Sequence, residues 1–343
     1  MERTSDIRIE RGLLARAGEM IRAALPGSAC AIISDDIVDG LYGDALESSL
    51  RSAGFSVSRT AFPHGEASKN IHTYFEVINF LAENRLTRKD AVIALGGGVV
   101  GDLAGFAAAT YLRGVNLVQV PTSLLACVDS SVGGKTAIDI PAGKNLCGAF
   151  YQPDIVLIDP DALSTLPDEI FTDGMAEVIK YAAIADISIL ELCRDAHANI
   201  DAIIRRCVEI KKDVVARDER DNSIRQILNF GHTFGHAVEA ISNFTVTHGK
   251  GVAIGMAIMA RACAMRGLCS EEAAQELIVA IAAQGLPTST EYDADALFTA
   301  MLSDKKRVPD GLNLVLLKGR GACEIRKTPL SEAKQMLKEG LQA

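Results

Sequence analysis

ALGGGVVGDLAGFAAATYLRGVNLVQVPTSLLACVDSSVGGKTAIDIPAGKN, residues 94–145, holds two glycine-rich turns, two lysines, an arginine and aspartates that follow apolar runs. AVIAL at 91–95, which leads into it, is a short apolar run of the kind that makes a buried parallel strand. Gly96, Gly98 and Gly101 then fit the spacing G-x-G-x-x-G, and the Ala-rich residues 102–112 favour helix. Strand, glycine turn and helix N-terminus make a diphosphate site, because the backbone can approach closely and free N–H groups point at the anion. The usual dinucleotide fingerprint sits on the first strand of its domain, with an acid about 20 residues further on. Here the turn comes a third of the way along, and Gln119 stands near the acid's place. A plain strand-to-helix turn is the competing reading.

The second turn is Asp129-Ser-Ser-Val-Gly-Gly-Lys135, with Lys144 and Asn145 soon after. Gly133 and Gly134 allow sharp backbone geometry, and Lys135 follows a loop whose N–H groups suit an anion nest. It is not a G-x-x-x-x-G-K loop, since that spacing needs glycine where Asp129 stands.

Outward from this stretch, residues 7–10, 30–34, 55–61, 116–120 and 155–158 read as strands. Helical patterns fall between them, up to 25, over 36–53 and over 70–85. This alternation predicts a doubly wound, mostly parallel, Rossmann-like α/β sheet with helices on both faces. Asp35 ends the 30–34 strand, where open sheets of this kind place ligand contacts; a helix N-cap explains it equally well. Asp159-Pro160 and Leu166-Pro167 punctuate the chain, which places the domain boundary at 164/165. Beyond it the pattern is mainly helical, over 174–183, 187–216, 232–241, 249–266 and 270–284, with one strand at 312–317.

The helical half carries metal candidates. Glu177 lies in the apolar GMAEVIKYA, where an unpaired carboxylate is costly. His232 and His236, at i and i+4, share one helix face, and His248 opens the next segment. Two or three histidines with one carboxylate suit zinc with an open position. Spacing alone does not choose between His232 and His236, and hydrogen-bonded buried histidines are the alternative. His64, His72 and His197 lack such a setting and read as structural.

Composition sets bounds on the rest. A chain of 343 residues implies about two domains, and 48% apolar content excludes disorder. A net charge of −9, from 35 basic and 44 acidic residues, argues against broad nucleic-acid binding. The eight cysteines include no C-x-x-C pair, which points to reduced thiols in a cytoplasmic protein. MERTSDIRIERG has no signal-peptide core, and the 91–112 run is too polar for a membrane span.

Taken together, ALGGGVVGDLAGF, YLRG, VPTSLLACVDSSVGGKTAID, GKNLCGAFYQP, GMAEVIKY, LNFGHTFGHAVE and HGKGVAIGM resemble the 3-dehydroquinate synthase family, in order and over nearly the whole chain. The resemblance implies an NAD-binding domain followed by a zinc- and substrate-binding helical domain, with cobalt able to replace zinc. Carried over residue by residue, it makes Glu177, His232 and His248 the metal ligands and puts His236 near the substrate phosphate. Asp35, Glu66, Lys69, Gly96, Gly97, Gly98, Asp102, Thr122, Ser123 and Thr165 fall along NAD, and Asp129 falls between nicotinamide and substrate. Lys135, Asn145 and Asn229 surround the phosphate, Lys144 and Lys180 contact hydroxyls or cofactor, and Lys211 and Arg225 hold a carboxylate. Lys305 or Lys306 closes over the phosphate, and Arg113 reaches the neighbouring site of a homodimer.

The implied reaction turns 3-deoxy-D-arabino-heptulosonate 7-phosphate into 3-dehydroquinate and phosphate. It runs through transient oxidation at C5 with NAD, phosphate elimination, re-reduction and aldol closure. Asp139, Lys250, Gly251 and Cys127 depart from the family's usual asparagine, Glu-Ala and glutamine. Three rivals stand beside this reading: another sugar-phosphate cyclase, a glycerol-type metal-dependent alcohol dehydrogenase, and a non-catalytic NAD- or phosphate-sensing paralogue.

Overall fold

The structure is a computed structural model and describes residues 5–304 and 311–342. The chain divides into two compact units, Met1–Pro167 and Asp168–Ala343. Among the described residues no helix is long and apolar enough to cross a membrane.

The first unit contains strands β1 (Asp6–Ile9), β2 (Ala29–Asp35), β3 (Ser56–Phe62), β4 (Ala91–Gly96), β5 (Asn116–Pro121), β6 (Lys135–Ile140), β7 (Gly143–Phe150) and β8 (Ile155–Ile158). Its helices are α1 (Leu13–Ala24), α2 (Asp36–Val38), α3 (Asp44–Ser52), α4 (Ile71–Glu83) and α5 (Gly98–Thr110). Six strands form a parallel sheet in the order β1-β8-β5-β4-β2-β3. Parallel strands are covered on both faces, so their side chains are apolar in both directions, and every residue of β4 is buried. One face packs Ile32, Ile93, Leu95 and Val118 against Leu14, Ile21, Leu46 and Leu50 of α1 and α3. The other packs Ile33, Val92, Ala94 and Leu117 against Val77, Leu81, Leu103 and Ala107 of α4 and α5. Each buried Val, Leu or Ile among these contributes roughly 1.5–3 kcal/mol of transfer free energy.

The chain leaves β2 towards β3 and leaves β4 towards β5, in opposite directions along the sheet. Adjacent strands whose connections diverge open a crevice at their carboxyl ends, the switch point where such sheets take ligands. Ser34 pairs with Leu95 at this end, so Asp35 and the 96–98 turn stand side by side at the crevice.

The second unit contains α6 (Asp168–Ile184), α7 (Ile189–Leu192), α8 (Ile200–Arg217), α9 (His232–Ile241), α10 (His248–Met265), α11 (Glu271–Ala283), α12 (Ala294–Asp304), the antiparallel hairpin β9 (Leu312–Gly319) and β10 (Ala322–Thr328), and α13 (Leu330–Gln342). The mainly helical expectation is met, with differences of detail. The single helix expected over 187–216 is broken, because the Asn199 side-chain amide donates to the carbonyls of Leu192 and Asp195 and ends the first piece. β10, α12 and α13 were not expected. Nor was the antiparallel β6–β7 hairpin, which occupies what reads as loop in the opening stretch.

Candidate functional site

In the first unit, Gly97 precedes α5 with no side-chain cap among the described residues, which leaves helix N–H groups for an anion. A Cβ on Gly97 would lie 3.2 Å from Ser123 Oγ, and one on Gly98 would lie 3.2 Å from Ser130 Oγ, so the turn is closely lined by hydroxyls. Thr122 is buried and donates its N–H to the Gly96 carbonyl at 3.0 Å. Asp35 Oδ1 accepts from Ile37 and Val38 N–H at 3.1 and 2.9 Å, so the N-cap role read from sequence is present locally. Burial raises the Asp35 pKa, and those two hydrogen bonds oppose the shift.

Lys69 is 4% exposed. Its ammonium donates to Asp102 Oδ2 and Asn145 Oδ1, both at 2.6 Å. Burial disfavours its charge, but Asp102 and Glu66 outweigh that and the Lys69 pKa is raised. Lys144 Nζ lies 3.6 Å from Glu66 Oε1. Asp139 Oδ1 accepts the Asn145 N–H at 2.8 Å. Thr165 Oγ1 shares a 2.6 Å hydrogen bond with the Tyr42 hydroxyl. Asp129 is half-buried in the turn before β6, and Lys135 is exposed at the start of that strand. Arg113 is exposed on left-handed backbone at φ 66°.

In the second unit, the metal candidates converge on Glu177, which is 1% exposed on α6. Glu177 Oε1 lies 3.4 Å from His232 Nε2 and 3.3 Å from His248 Nε2. Ligand atoms of all three residues lie within 4.8 Å of one another. Tetrahedral ligands bonded at about 2.0–2.1 Å stand about 3.3 Å apart, so the donor set and its spacing fit a zinc-sized cation. Glu177 Oε2 forms an ion pair with the buried Lys180. The His232 and His236 ring centroids are 5.4 Å apart, but His236 is not part of this triplet.

The local sequence explains how the histidines meet. Gly231, at φ 80°, starts α9 and places His232 at its first position. Cβ atoms at Gly235 and Gly255 would lie 2.7 Å from the Gly251 carbonyl and 1.9 Å from the Gly231 carbonyl. Only glycines let α9 and α10 approach this closely. Asp173, one turn before Glu177 on the same helix, accepts from the Thr247 hydroxyl and from the Lys250 N–H, pinning the start of α10 that carries His248.

Glu239 Oε1 is 3.1 Å from His248 Nδ1. Glu239, His236 and His248 form a second cluster of possible ligands, within which the Glu239–His248 contact has hydrogen-bond length. Burial lowers the pKa of His232 to about 3 despite Glu177. Burial also opposes charge on His248, yet carboxylates at both ring nitrogens push it up to about 10. Sequence reasoning missed Asp173 and Glu239. The available signals were their shared helix faces, Asp173 four before Glu177 and Glu239 three after His236.

Arg225 is 1% exposed and Lys211 5% exposed, on the 224–229 turn and α8, and both segments pack against α6. Asp218 Oδ2 accepts from the Ser223 and Arg225 N–H groups, and Arg225 Nη1 donates to the Glu219 carbonyl. Asn229 is half-buried at the end of the same turn. Lys305 and Lys306 lie outside the described residues.

The fold of the chain is similar to those of solved cyclases and, more distantly, of an iron-containing alcohol dehydrogenase at TM-score 0.68 and 13% identity. The models for the N-terminal and C-terminal parts of 3-dehydroquinate synthase match residues 59–173 and 174–307. The chain belongs to the 3-dehydroquinate synthase family. It is 43% identical to the 3-dehydroquinate synthase of Streptococcus suis, covering 97% of this chain and 96% of that one. Among solved structures it resembles the 2-epi-5-epi-valiolone synthase of Streptomyces hygroscopicus subsp. jinggangensis with NAD+ and Zn2+ bound, at 26% identity and TM-score 0.88, covering 98% and 96% of the two chains. It also resembles a 2-deoxy-scyllo-inosose synthase complexed with carbaglucose-6-phosphate, NAD+ and Co2+, at 26% identity and TM-score 0.87, with the same coverage.

Proposed function

We propose that this chain converts 3-deoxy-D-arabino-heptulosonate 7-phosphate into 3-dehydroquinate and inorganic phosphate, as a cytoplasmic homodimer using NAD and zinc. The observation that carries the reading is family membership over 97% of the chain at 43% identity. NAD and the metal, when bound, supply reversible oxidation at the substrate's C5 and polarisation of the oxygen it carries. The chain's residues do the rest. Glu177, His232 and His248 hold the cation, and Glu239 orients the ring of His248. Residues 96–98 with Asp102, Thr122, Ser123, Thr165, Asp35, Glu66 and Lys69 form the NAD side. Lys135, Asn145, Asn229 and His236 hold the phosphate until it leaves. Lys144, Lys180 and Asp129 meet hydroxyls and cofactor, and Lys305 or Lys306 covers the phosphate. Arg113 serves the neighbouring protomer.

A second reading, a related cyclase acting on a sugar phosphate that has no carboxylate, is disfavoured by one observation. Arg225 and Lys211 put two buried cations within the substrate unit, which suits an anionic substrate group. The test is a product assay at sub-stoichiometric NAD. Phosphate is expected to appear in step with carbocycle, with no steady rise in nicotinamide absorbance. Steady NADH accumulation matched to substrate use would mean a dehydrogenase instead.

A further inference from the structure

We propose that Lys69 and Asp139 are positioning residues that couple the glycine turn to Asn145, so that a dinucleotide at the turn sets the conformation of Asn145. This rests on the functional reading above, in which the turn takes NAD and Asn145 meets the substrate.

Three residues form a closed ring of hydrogen bonds. The Lys69 ammonium donates to Asn145 Oδ1 at 2.6 Å, the Asn145 N–H donates to Asp139 Oδ1 at 2.8 Å, and the Asp139 N–H donates to the Lys69 carbonyl at 2.8 Å. Asn145 thus has its side chain fixed by one partner and its backbone by the other. It needs both, because its φ of 54° is left-handed and costly for a residue other than glycine.

The ring reaches the glycine turn through Lys69, whose ammonium contacts Asp102 at 2.6 Å. Asp102 lies in the second turn of α5, just behind the N–H groups offered to a diphosphate. An uncompensated carboxylate there would repel the anion, and Lys69 neutralises it. A diphosphate arriving at the turn therefore changes the field on the Lys69–Asp102 pair, and Lys69 passes that change to Asn145. A static tie would hold the hairpin in the same way with or without dinucleotide, so the two can be separated by experiment.

The test is hydrogen exchange of the 140–148 peptide, with and without NAD, alongside NAD affinity measured by fluorescence. In the parent, NAD is expected to slow exchange by about threefold or more. Lys69→Met, which leaves Asp102 uncompensated, should bind NAD more weakly than the parent; at saturating NAD it and Asp139→Ala should lose that slowing, and Asp139→Asn, which keeps the acceptor oxygen, should retain it. KM for the sugar-acid phosphate should rise more than kcat falls in the first two variants. Lys69→Arg, which keeps the charge but not the three-point geometry, serves if Lys69→Met does not fold, and should also lose the slowing. NAD binding with equal slowing in parent and Lys69 variants would overturn the coupling alone. A parent that fails to bind NAD would overturn the functional reading and the coupling with it.

Discussion

Glu239 Oε1 and Glu177 Oε1 hold opposite nitrogens of the His248 ring, at 3.1 Å from Nδ1 and 3.3 Å from Nε2. If His248 is a metal ligand as proposed, a carboxylate on its outer nitrogen would fix which nitrogen faces the ion and raise its basicity. Glu239→Gln keeps an oxygen acceptor but loses the charge. Metal affinity is expected to fall roughly 10- to 100-fold. Chelator competition on the purified protein measures this directly, and an unchanged affinity would remove Glu239 from the metal site.

The approach of α9 to α10 gives a second expectation. Gly255→Ala would put a methyl 1.9 Å from the Gly231 carbonyl, and backbone cannot yield as a flexible side chain can. Destabilisation of about 1–3 kcal/mol is expected, as for other overpacked cores, with weaker metal binding as His232 and His248 separate. Gly319→Ala, with nothing within 4 Å of the new Cβ, is the control and should be near neutral. Urea midpoints of the two variants provide the comparison.

The parts of the site that follow from local pattern were legible in the sequence. AVIAL and the glycines after it dictate a buried strand and a tight turn into a helix, and β4 and α5 are there. The β6–β7 hairpin was not legible because Pro141, Gly143 and Gly148 break its alternation and β7 is largely exposed, so the apolar period carries little signal. Pairings across long sequence separations were beyond reach as well. Lys69 and Asn145 are 76 residues apart, and only the sheet topology brings them together. The buried pair of Glu177 and Lys180 was half visible, since i,i+3 spacing puts both on one face but does not say that Lys180 turns to the same carboxylate as the histidines.

Asp139 supplies a pH test. Burial, with Glu66 adding to it, raises its pKa, although the Asn145 N–H and the nearby lysines pull the other way. The native chain therefore takes up this proton more readily than the unfolded chain. Its contribution favours folding as pH falls through the folded value and opposes folding once pH rises above it. Asp139→Asn removes the opposition while keeping an acceptor for Asn145. The variant should be more stable than the parent at pH 7, and that gain should shrink towards pH 4. Urea midpoints at the two pH values decide it. A gain that grows on acidification would contradict the sign.

Arg225 is the most informative single substitution. Its guanidinium is buried, while the turn that carries it is held separately by Asp218, which accepts from the backbone N–H groups of Asn222, Ser223 and Arg225. Removing the guanidinium therefore leaves those backbone ties in place, although the bond from Nη1 to the Glu219 carbonyl is lost. Losing one partner of a buried charge pair costs about 3–5 kcal/mol, a figure that includes the charge left behind on the other partner. If Arg225 receives the substrate carboxylate, Arg225→Ala should lose roughly 150- to 5000-fold in kcat/KM, with NAD and metal affinity within a few-fold of the parent. Arg225→Lys should recover only part of the loss, because an ammonium cannot match the two-point geometry of a guanidinium on a carboxylate. Equal kcat/KM in parent and Arg225→Ala would take Arg225 out of substrate recognition. A parallel loss of NAD or metal affinity would instead identify a structural role for it.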